Sequence, residues 1–222
     1  MKRKQKLVNG EVYHIFSRSI ANFTTFNNPK DFERMIELLQ FYQIKEPPTS
    51  FSTFMKLELV KNIGFQTAFT LVAKEQEKIV QIIAYCLMPT HVHFILKQLQ
   101  ETGISNFMGN ILNSYSRHFN LNYRRKGPLW ESKFQNILVE NDELLLHLTR
   151  YLHLNPVTAF LVDEPRDWRY SSFGEYVENA DNFPICQFKD LMEIKPKSYQ
   201  RFVEERINYQ RELAKIKNLL LE

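Results

Sequence analysis

Two apolar runs that meet at a short turn restrict most strongly how this chain can fold. KIVQIIAYCL (78–87) and HVHFILKQL (91–99) are rich in β-branched and aromatic residues, and Met-Pro-Thr (88–90) separates them. Strong strand formers joined by so short a connection predict an antiparallel hairpin in the middle of the chain. The fold is therefore expected to be organised around an antiparallel sheet.

One strand and one helix are predicted before this hairpin. EVYHIFSRSI (11–20) has the composition of a strand. A helix follows, because Asn28 is a favourable N-cap residue and Pro29 is favourable at the first helical position. The segment 45–78 opens with a break at KEPPTSFSTF and continues as a helical insertion.

After the hairpin the pattern predicts a helix over 101–120, a turn plus strand over 127–139 and a helix over 141–154. The resulting order of elements predicts an α+β fold, in which helices cover one face of an antiparallel sheet. We divide the chain into a domain of residues 1–165, with 45–78 as its insertion, and a C-terminal extension, 166–222. This extension is expected to be polar and irregular and to end in one charged amphipathic helix.

Composition allows one buried core and sets some limits on function. The chain has 222 residues, of which 44% are hydrophobic, and its net charge of +4 permits a polyanionic partner. Two cysteines are too few for a disulfide scaffold, so a reducing, cytoplasmic location is expected. The sequence predicts no signal peptide and no membrane span.

The second strand of the hairpin carries two histidines, His91 and His93, with one valine between them. Alternate side chains share a face of a strand, so both imidazoles project together, roughly 6–7 Å apart along the backbone. They are candidates for binding one metal ion. The alternative is a hydrogen-bonded pair of histidines at the edge of a sheet.

The helix predicted over 141–154 offers further polar groups next to its apolar face. His147, Tyr151 and Asn155 follow one another at intervals of four residues along the border of that face. Two imidazoles and an amide oxygen leave open positions on Mg²⁺ or Mn²⁺, and such an ion can polarise a phosphate for attack by a phenol. The alternative is a tyrosine at the core margin and an Asn155-Pro156 pair that ends the helix.

At these residues the sequence resembles the single-tyrosine HUH transposases, the IS200-like family, and their REP-associated tyrosine transposase branch. MPTHVHFIL is similar to the family's His-hydrophobic-His motif, and RYLHLNPVTAFLV is similar to the segment with the nucleophilic tyrosine. VYHIFSRS, GPLWESKF and DWRYSSFGEY are similar to other stretches of the family. The resemblance extends from about Val12 to Tyr176.

The resemblance implies a ferredoxin-like or RRM-like sheet and a particular chemistry. It makes Tyr151 the nucleophile, His91 and His93 metal ligands, and Asn155 the third ligand, where related branches have Gln or His. Tyr151 would attack a phosphate of single-stranded DNA, become linked to the 5′ end and release a 3′-hydroxyl. The expected substrates are hairpins or imperfect palindromes, and the protein is expected to be a monomer or a homodimer.

The chain from Thr102 to Trp130 has no Asp or Glu, although basic and aromatic residues alternate in it. The basic residues are Arg117, Arg124, Arg125 and Lys126, and the aromatic residues interleaved with them are Tyr115, Phe119, Tyr123 and Trp130. Because cations bind phosphates and aromatic faces stack on bases, we expect a DNA-facing loop that includes Tyr123. Arg18 is a weaker candidate. The alternative is that Tyr115 and Phe119 are core residues and RRKG is a solvated turn.

Another function remains open at this point. A non-catalytic single-stranded nucleic-acid-binding protein, derived from a transposase, would have the same sheet but would form no covalent product. A phosphoesterase with two His-x-Ser/Thr motifs is disfavoured, because only His147-Leu-Thr149 has that form.

Overall fold

The predicted hairpin is present in the computed structural model, which describes residues 6–131, 133–178 and 183–219. Strands β2 (Val80–Met88) and β3 (His91–Gln98) pair in antiparallel fashion. Pro89 and Thr90 form the connection between them, and two-residue connections are the commonest in hairpins.

Two further strands complete one four-stranded sheet, with the order β2-β3-β1-β4. They are β1 (Val12–Arg18) and β4 (Gln135–Leu138). The helices that surround the sheet are α1 (Pro29–Tyr42), α2 (Phe51–Phe54), α3 (Glu58–Ala73), α4 (Gly103–Asn122), α5 (Asp142–Thr158), α6 (Phe173–Val177), α7 (Pro196–Glu204) and α8 (Ile207–Leu219). The order β1-α1-β2-β3-α4-β4 is that of a ferredoxin-like unit, and the predicted α+β class is confirmed.

Helices lie on both faces of the sheet, whereas the prediction placed them on one. The face that contains Phe94 packs against Phe107 of α4, which lies beside α1. The opposite face, which contains His93, packs against α5, the helix that follows the ferredoxin-like unit. The physical reason is visible in β2, where every residue is buried, because a strand that is apolar at both parities is covered on both sides.

Local start signals place α1 as predicted. The Asn28 side chain accepts hydrogen bonds from the backbone nitrogens of Lys30 and Asp31, and Pro29 is the first helical residue. Both features satisfy or remove N–H groups that a helix leaves unpaired at its beginning.

The segment 45–78 leaves and re-enters the fold at one place. Ile44 and Lys78 form an isolated antiparallel bridge, and the Lys45 nitrogen donates to the backbone oxygen of Glu77. Between these ends, α2 and α3 pack on α1 through a cluster of phenylalanine rings: Phe41, Phe51, Phe54, Phe65 and Phe69. This segment therefore extends the core on the side of α1.

The C-terminal extension differs from its prediction in two ways. It is not uniformly polar and irregular, since Phe173, Tyr176 and Phe188 are buried in the common core. The expected single terminal helix is two helices, α7 and α8, which are interrupted at residues 205–206. The first packs against α6 and the second against α5, so tertiary contacts outweigh the helical propensity of the charged sequence between them.

Gly103 at the beginning of α4 is required by close packing. A Cβ atom at this position would lie 2.2 Å from the backbone oxygen of Ile79, which precedes β2. Gly103→Ala should therefore lower the free energy of unfolding by about 1–3 kcal/mol, as overpacked substitutions do. Urea unfolding followed by circular dichroism measures this change.

Gly109 in the same helix is the matched control. A Cβ atom there has nothing within 4 Å, so Gly109→Ala should raise the free energy of unfolding by about 0.5–1 kcal/mol through helix propensity. An equal effect of the two substitutions would contradict the close approach of α4 to Ile79.

Candidate active site

The two histidines of β3 lie side by side on the face of the sheet that α5 covers. Their ring centres are 5.0 Å apart, and the rings are perpendicular. His93 is buried, and His91 is partly buried at the first position of the strand. The structure therefore brings the two imidazoles together, as the alternation of a strand requires.

Helix α5 places Tyr151 next to this pair. The centre of the Tyr151 ring lies 6.0 Å from that of His93, in an edge-on arrangement. The tyrosine is 44% exposed, so a partner from solution can reach it. The predicted nucleophile and the predicted metal ligands thus share one site.

A third histidine, His14 of β1, belongs to the same site, although the sequence analysis gave it no role. Its Nε2 lies 3.0 Å from Nδ1 of His93, and its ring centre is 6.2 Å from that of Tyr151. The signal that could have identified it is the alternation of His14, Phe16 and Arg18 along β1, once β1 is paired with β3. The sequence alone does not reveal this pairing, so it does not place His14 beside His93.

The hydrogen bonds of the histidines leave one ring nitrogen of each free. Nδ1 of His91 lies 3.0 Å from the Thr90 hydroxyl, and Nδ1 of His93 is used by His14. Within the described residues, neither Nε2 atom of this pair has a hydrogen bond. Histidines that bind metals commonly have their second nitrogen fixed in this way, so both side chains are suited to a metal at Nε2.

Burial keeps these imidazoles neutral. It lowers the pKa of His14 and of His91 to about 4, and it lowers the pKa of His93 well below its usual value. The positive charge of Arg18 lowers the pKa of His91 and His93 further. A neutral imidazole has the lone pair that a metal needs.

Arg18 lies at the open end of the site, where β1 ends. It pairs in register with His91, so its side chain is on the same face of the sheet as the histidines. Partial burial raises the pKa of the Tyr151 phenol, and Arg18 acts on that pKa in the opposite direction. Tyr151 is therefore protonated at neutral pH, with a positive charge nearby.

Asn155 lies one helical turn after Tyr151, inside α5 and not at its end. The alternative in which Asn155-Pro156 ends the helix is wrong, because α5 continues to Thr158 and the Ala159 nitrogen donates to the Asn155 backbone oxygen. The side-chain nitrogen of Asn155 is buried without a hydrogen-bond partner. That atom is a hydrogen-bond donor and cannot bind a cation, so only the side-chain oxygen of Asn155 is suited to a metal, and its role as third ligand stays a prediction.

A metal at this site needs the amide or water in addition to the histidines. In the described ranges, no three side chains of His, Cys, Asp or Glu are grouped so as to hold an ion. Oxygen ligands beside two imidazoles are compatible with Mg²⁺ or Mn²⁺.

Three comparisons with known proteins each found a similarity to transposases. The family model of the IS200-like transposases matches residues 59–155, which include His91, His93, Tyr151 and Asn155. The resemblance to the IS200-like transposases is confirmed. A curated relative from Haemophilus influenzae, named as a REP-associated tyrosine transposase, is 32% identical over 117 residues. That alignment covers 47% of this chain and 64% of the relative, so the chain spans less than two thirds of the relative's length.

A solved structure supports the fold independently of sequence. It is that of a REP-associated tyrosine transposase bound to a REP hairpin, and it matches with a TM-score of 0.51 and 14% identity. The match covers 88% of this chain and 96% of the solved chain. The fold predicted from the IS200-like resemblance is thus confirmed across most of the chain.

The basic residues expected to face DNA lie at the surface of the protein. Arg117, Arg124 and Lys126 are exposed, and Arg125 is partly exposed. Within the described chain these four residues form no ion pair with a carboxylate, so their charges are available. Their role in binding DNA stays a prediction.

Most of the aromatic residues in that segment do not face solvent. Tyr115 and Phe119 are fully buried and Trp130 is almost so, which makes the core interpretation of Tyr115 and Phe119 correct. Tyr123 is 40% exposed, but its hydroxyl donates to Asp31 and accepts from Asn28. The helical period of α4 explains the difference, because its aromatic residues follow the face that packs on the sheet and α1.

The remaining histidine of the predicted stripe, His147, lies outside the site. Its Nδ1 is 2.7 Å from the Arg150 guanidinium, and its ring is near Phe202 of α7. His147 is thus directed to the C-terminal extension.

The extension also holds α5 in place. Nδ1 of His153 lies 2.8 Å from the Tyr199 hydroxyl, and Nε2 lies 2.9 Å from the Ser172 hydroxyl. The Ser172 hydroxyl in turn accepts from the Tyr85 nitrogen of β2. This buried network fixes α5, and with it Tyr151, to the sheet.

Tyr199→Phe tests the network, because it leaves Nδ1 of a fully buried His153 without its partner. We expect the free energy of unfolding to fall by about 1–3 kcal/mol in urea unfolding, the cost of an unpaired buried polar group. Tyr209→Phe, at a tyrosine that is 51% exposed on α8, should leave stability unchanged. A loss of the same size at Tyr209 would indicate that the hydroxyl of Tyr199 has no special role.

Proposed function

We propose that this chain is a metal-dependent single-stranded DNA endonuclease and transposase, which cleaves and rejoins DNA through a 5′-phosphotyrosine intermediate. The observation that carries this proposal is the position of the Tyr151 ring, 6.0 Å from His93 and 6.2 Å from His14. A phenol beside neutral imidazoles, open to solvent on one side, suits phosphoryl transfer to tyrosine. The IS200-like match over the residues of the site supports the same class.

The side chains present fit a divalent metal. His91 and His93 would hold it through Nε2, whose partner nitrogens are already fixed by hydrogen bonds, and the side-chain oxygen of Asn155 would complete the protein ligands. Mg²⁺ and Mn²⁺ are the ions that this mixed nitrogen and oxygen set favours. When bound, such an ion supplies Lewis-acid polarisation of a phosphate oxygen.

The protein's own groups bind and orient the DNA strand. Arg18 offers a positive charge next to His91 and Tyr151, where a phosphate would lie during attack. His14 fixes the ring of His93 through the bond to its Nδ1. The network of His153 with Ser172 and Tyr199 holds α5 so that the Tyr151 hydroxyl stays at the site.

The proposed step exchanges one phosphate ester for another. The Tyr151 oxygen forms a bond to phosphorus as its proton passes to solvent. The bond from phosphorus to the 3′ oxygen breaks, and that oxygen takes up a proton to become a 3′-hydroxyl. Attack of a 3′-hydroxyl on the tyrosine-linked phosphate reverses the step and joins strands.

Hairpin or palindromic DNA with a single-stranded flank is the substrate to test first. The solved relative is described as bound to a REP hairpin, and the fold is shared. The exposed cations Arg117, Arg124, Arg125 and Lys126 are available for phosphates of such DNA.

Tyr151→Phe should abolish the covalent adduct and leave DNA binding unchanged, because the substitution removes only the nucleophilic oxygen. The measurement is a denaturing gel of protein mixed with labelled hairpin DNA and Mn²⁺, together with anisotropy for binding. Tyr209→Phe is the matched control and should form adduct like the unmodified chain.

An adduct that persists in Tyr151→Phe would contradict this assignment. Tyr115 and Tyr123 are unsuitable as substitute nucleophiles, since the hydroxyl of buried Tyr115 donates to the Thr25 backbone oxygen and that of Tyr123 donates to Asp31. Tight binding with no adduct in the unmodified chain would favour the non-catalytic binding protein.

His93→Ala should abolish Mn²⁺ binding in a calorimetric titration and abolish adduct formation, because one of the two imidazole ligands is lost. His91→Ala should have the same effect, and chelation by EDTA should remove adduct without releasing DNA. His147→Ala is the control, since this exposed histidine pairs with Arg150 away from the site. Mn²⁺ binding that survives His93→Ala would exclude this metal site.

A further inference from the structure

Phe23 is an exposed aromatic ring in the loop that follows β1, at the end of the sheet where Arg18 and His91 lie. It is 45% exposed, and its ring packs edge-on against Phe119 of α4, with ring centres 5.9 Å apart. It lies five residues after Arg18, in the loop that leaves β1. Phe23 is not among the residues assigned above to the reaction or to DNA binding.

Hydrogen bonds fix this loop to the turn that precedes His91. The Ser19 nitrogen donates to the Thr90 oxygen, and the Thr25 nitrogen donates to the Pro89 oxygen. Ser19 is fully buried, and its hydroxyl donates to the backbone oxygen of Phe23. Phe23 is therefore held in a constant position relative to the β2–β3 turn and the histidine that follows it.

The backbone of this loop has an unfavourable conformation at two residues. Ala21 and Asn22, the two residues before Phe23, have φ values of 51° and 54°. Side-chain-bearing residues rarely adopt this left-handed conformation, and retained strain of this kind is concentrated at functional sites.

A positive charge without a carboxylate partner lies next to the ring. The Arg125 guanidinium is 5.4 Å from the ring centre, and its hydrogen bonds are to the neutral oxygens of Asn120 and Gly127. The guanidinium lies over one face of the ring, but farther from it than the guanidinium of Arg150, which stacks on Phe202 at 4.0 Å. A partly exposed aromatic ring and a cation without a carboxylate partner are thus side by side.

A second pair of a phenylalanine and an arginine in this chain has a similar geometry but a different charge balance. Phe160 is 48% exposed, and Arg211 lies 5.7 Å from its ring centre, so the geometry is nearly that of Phe23 and Arg125. Arg211, however, forms an ion pair of 2.8 Å with Asp163 and bonds to the Val162 oxygen. The charge at Phe160 is neutralised within the protein, whereas the charge at Phe23 is available to an anionic partner.

We infer that Phe23 is a stacking platform for one base of the single-stranded DNA flank, and that Arg125 binds an adjoining backbone phosphate. An aromatic face accepts any base that is not stacked in a duplex, and a neighbouring cation binds the backbone. The exposed charges of Arg124 and Lys126 continue this surface along the chain. The inference rests on the proposed function, because it assigns a specific contact to the same single-stranded substrate.

The test is an anisotropy titration with a labelled hairpin that has a single-stranded flank of about 10 nucleotides, a length within the range of known binding grooves. Phe23→Leu should weaken binding by about tenfold, the effect expected for one lost base stack. Phe23→Trp should keep the affinity of the unmodified chain, because an indole offers at least the same stacking face. Phe160→Leu should bind like the unmodified chain.

A hairpin without the flank, and flanks with one abasic position each, locate the contact. The penalty of Phe23→Leu should be absent on the blunt hairpin and should disappear at one abasic position, where the stacked base is already missing. Matching thermal denaturation of Phe23→Leu and Phe160→Leu ensures that both variants are folded.

Different outcomes contradict the two proposals separately. If the unmodified chain forms a Tyr151-dependent adduct but Phe23→Leu binds as tightly as Phe160→Leu, the stacking platform is wrong and the proposed function stands. If the unmodified chain neither binds flanked hairpins nor forms an adduct, the proposed function itself fails. An equal penalty on flanks made of RNA would overturn the assignment of the platform to DNA.

Discussion

The antiparallel pairing of β1 with β3 determines where the groups of the candidate site lie. In this register Arg18 is opposite His91 and Phe16 is opposite His93, so that His14, His91, His93 and Arg18 all occupy one face. A shift of one residue would turn the histidines into the core formed with α1 and α4 and would direct Phe94 to the site. The large apolar residues of the opposite face, such as Ile15 and Phe94, prevent that shift because they are fully buried.

The geometry of the candidate site also depends on the position of α5, which covers the face of the sheet that carries the histidines. Tyr151 reaches His93 because the opposite side of the helix is fixed by His153, through Ser172 to β2 and through Tyr199 to α7. The C-terminal extension thus contributes to the geometry of the site, although Ser172 and Tyr199 are not near the phenol in sequence. A buried polar network of this kind specifies one arrangement of the helix, since any displacement leaves its members unpaired.

The same structure separates tyrosines and arginines that look alike in sequence. Any of Tyr115, Tyr123 and Tyr151 has the phenol that a nucleophile needs. The hydroxyls of the first two form hydrogen bonds within the protein, whereas the ring of Tyr151 lies beside the histidines. Arg125 and Arg211 each lie near an exposed phenylalanine, yet only the second has a carboxylate partner among the described residues. Whether a hydroxyl or a positive charge is free to react with or bind a ligand therefore depends on its contacts in the folded protein.

The sequence by itself determined the hairpin, the start of α1, the shared face of His91 and His93, and the resemblance to the IS200-like transposases through its local motifs. These features depend on alternation, capping residues and short connections, all of which act between near neighbours in the chain. It did not determine the role of His14, the covering of both faces of the sheet, or the division of the terminal helix. Only the tertiary structure decided these, because each depends on which strand or helix packs beside another, and that choice is made by the whole core.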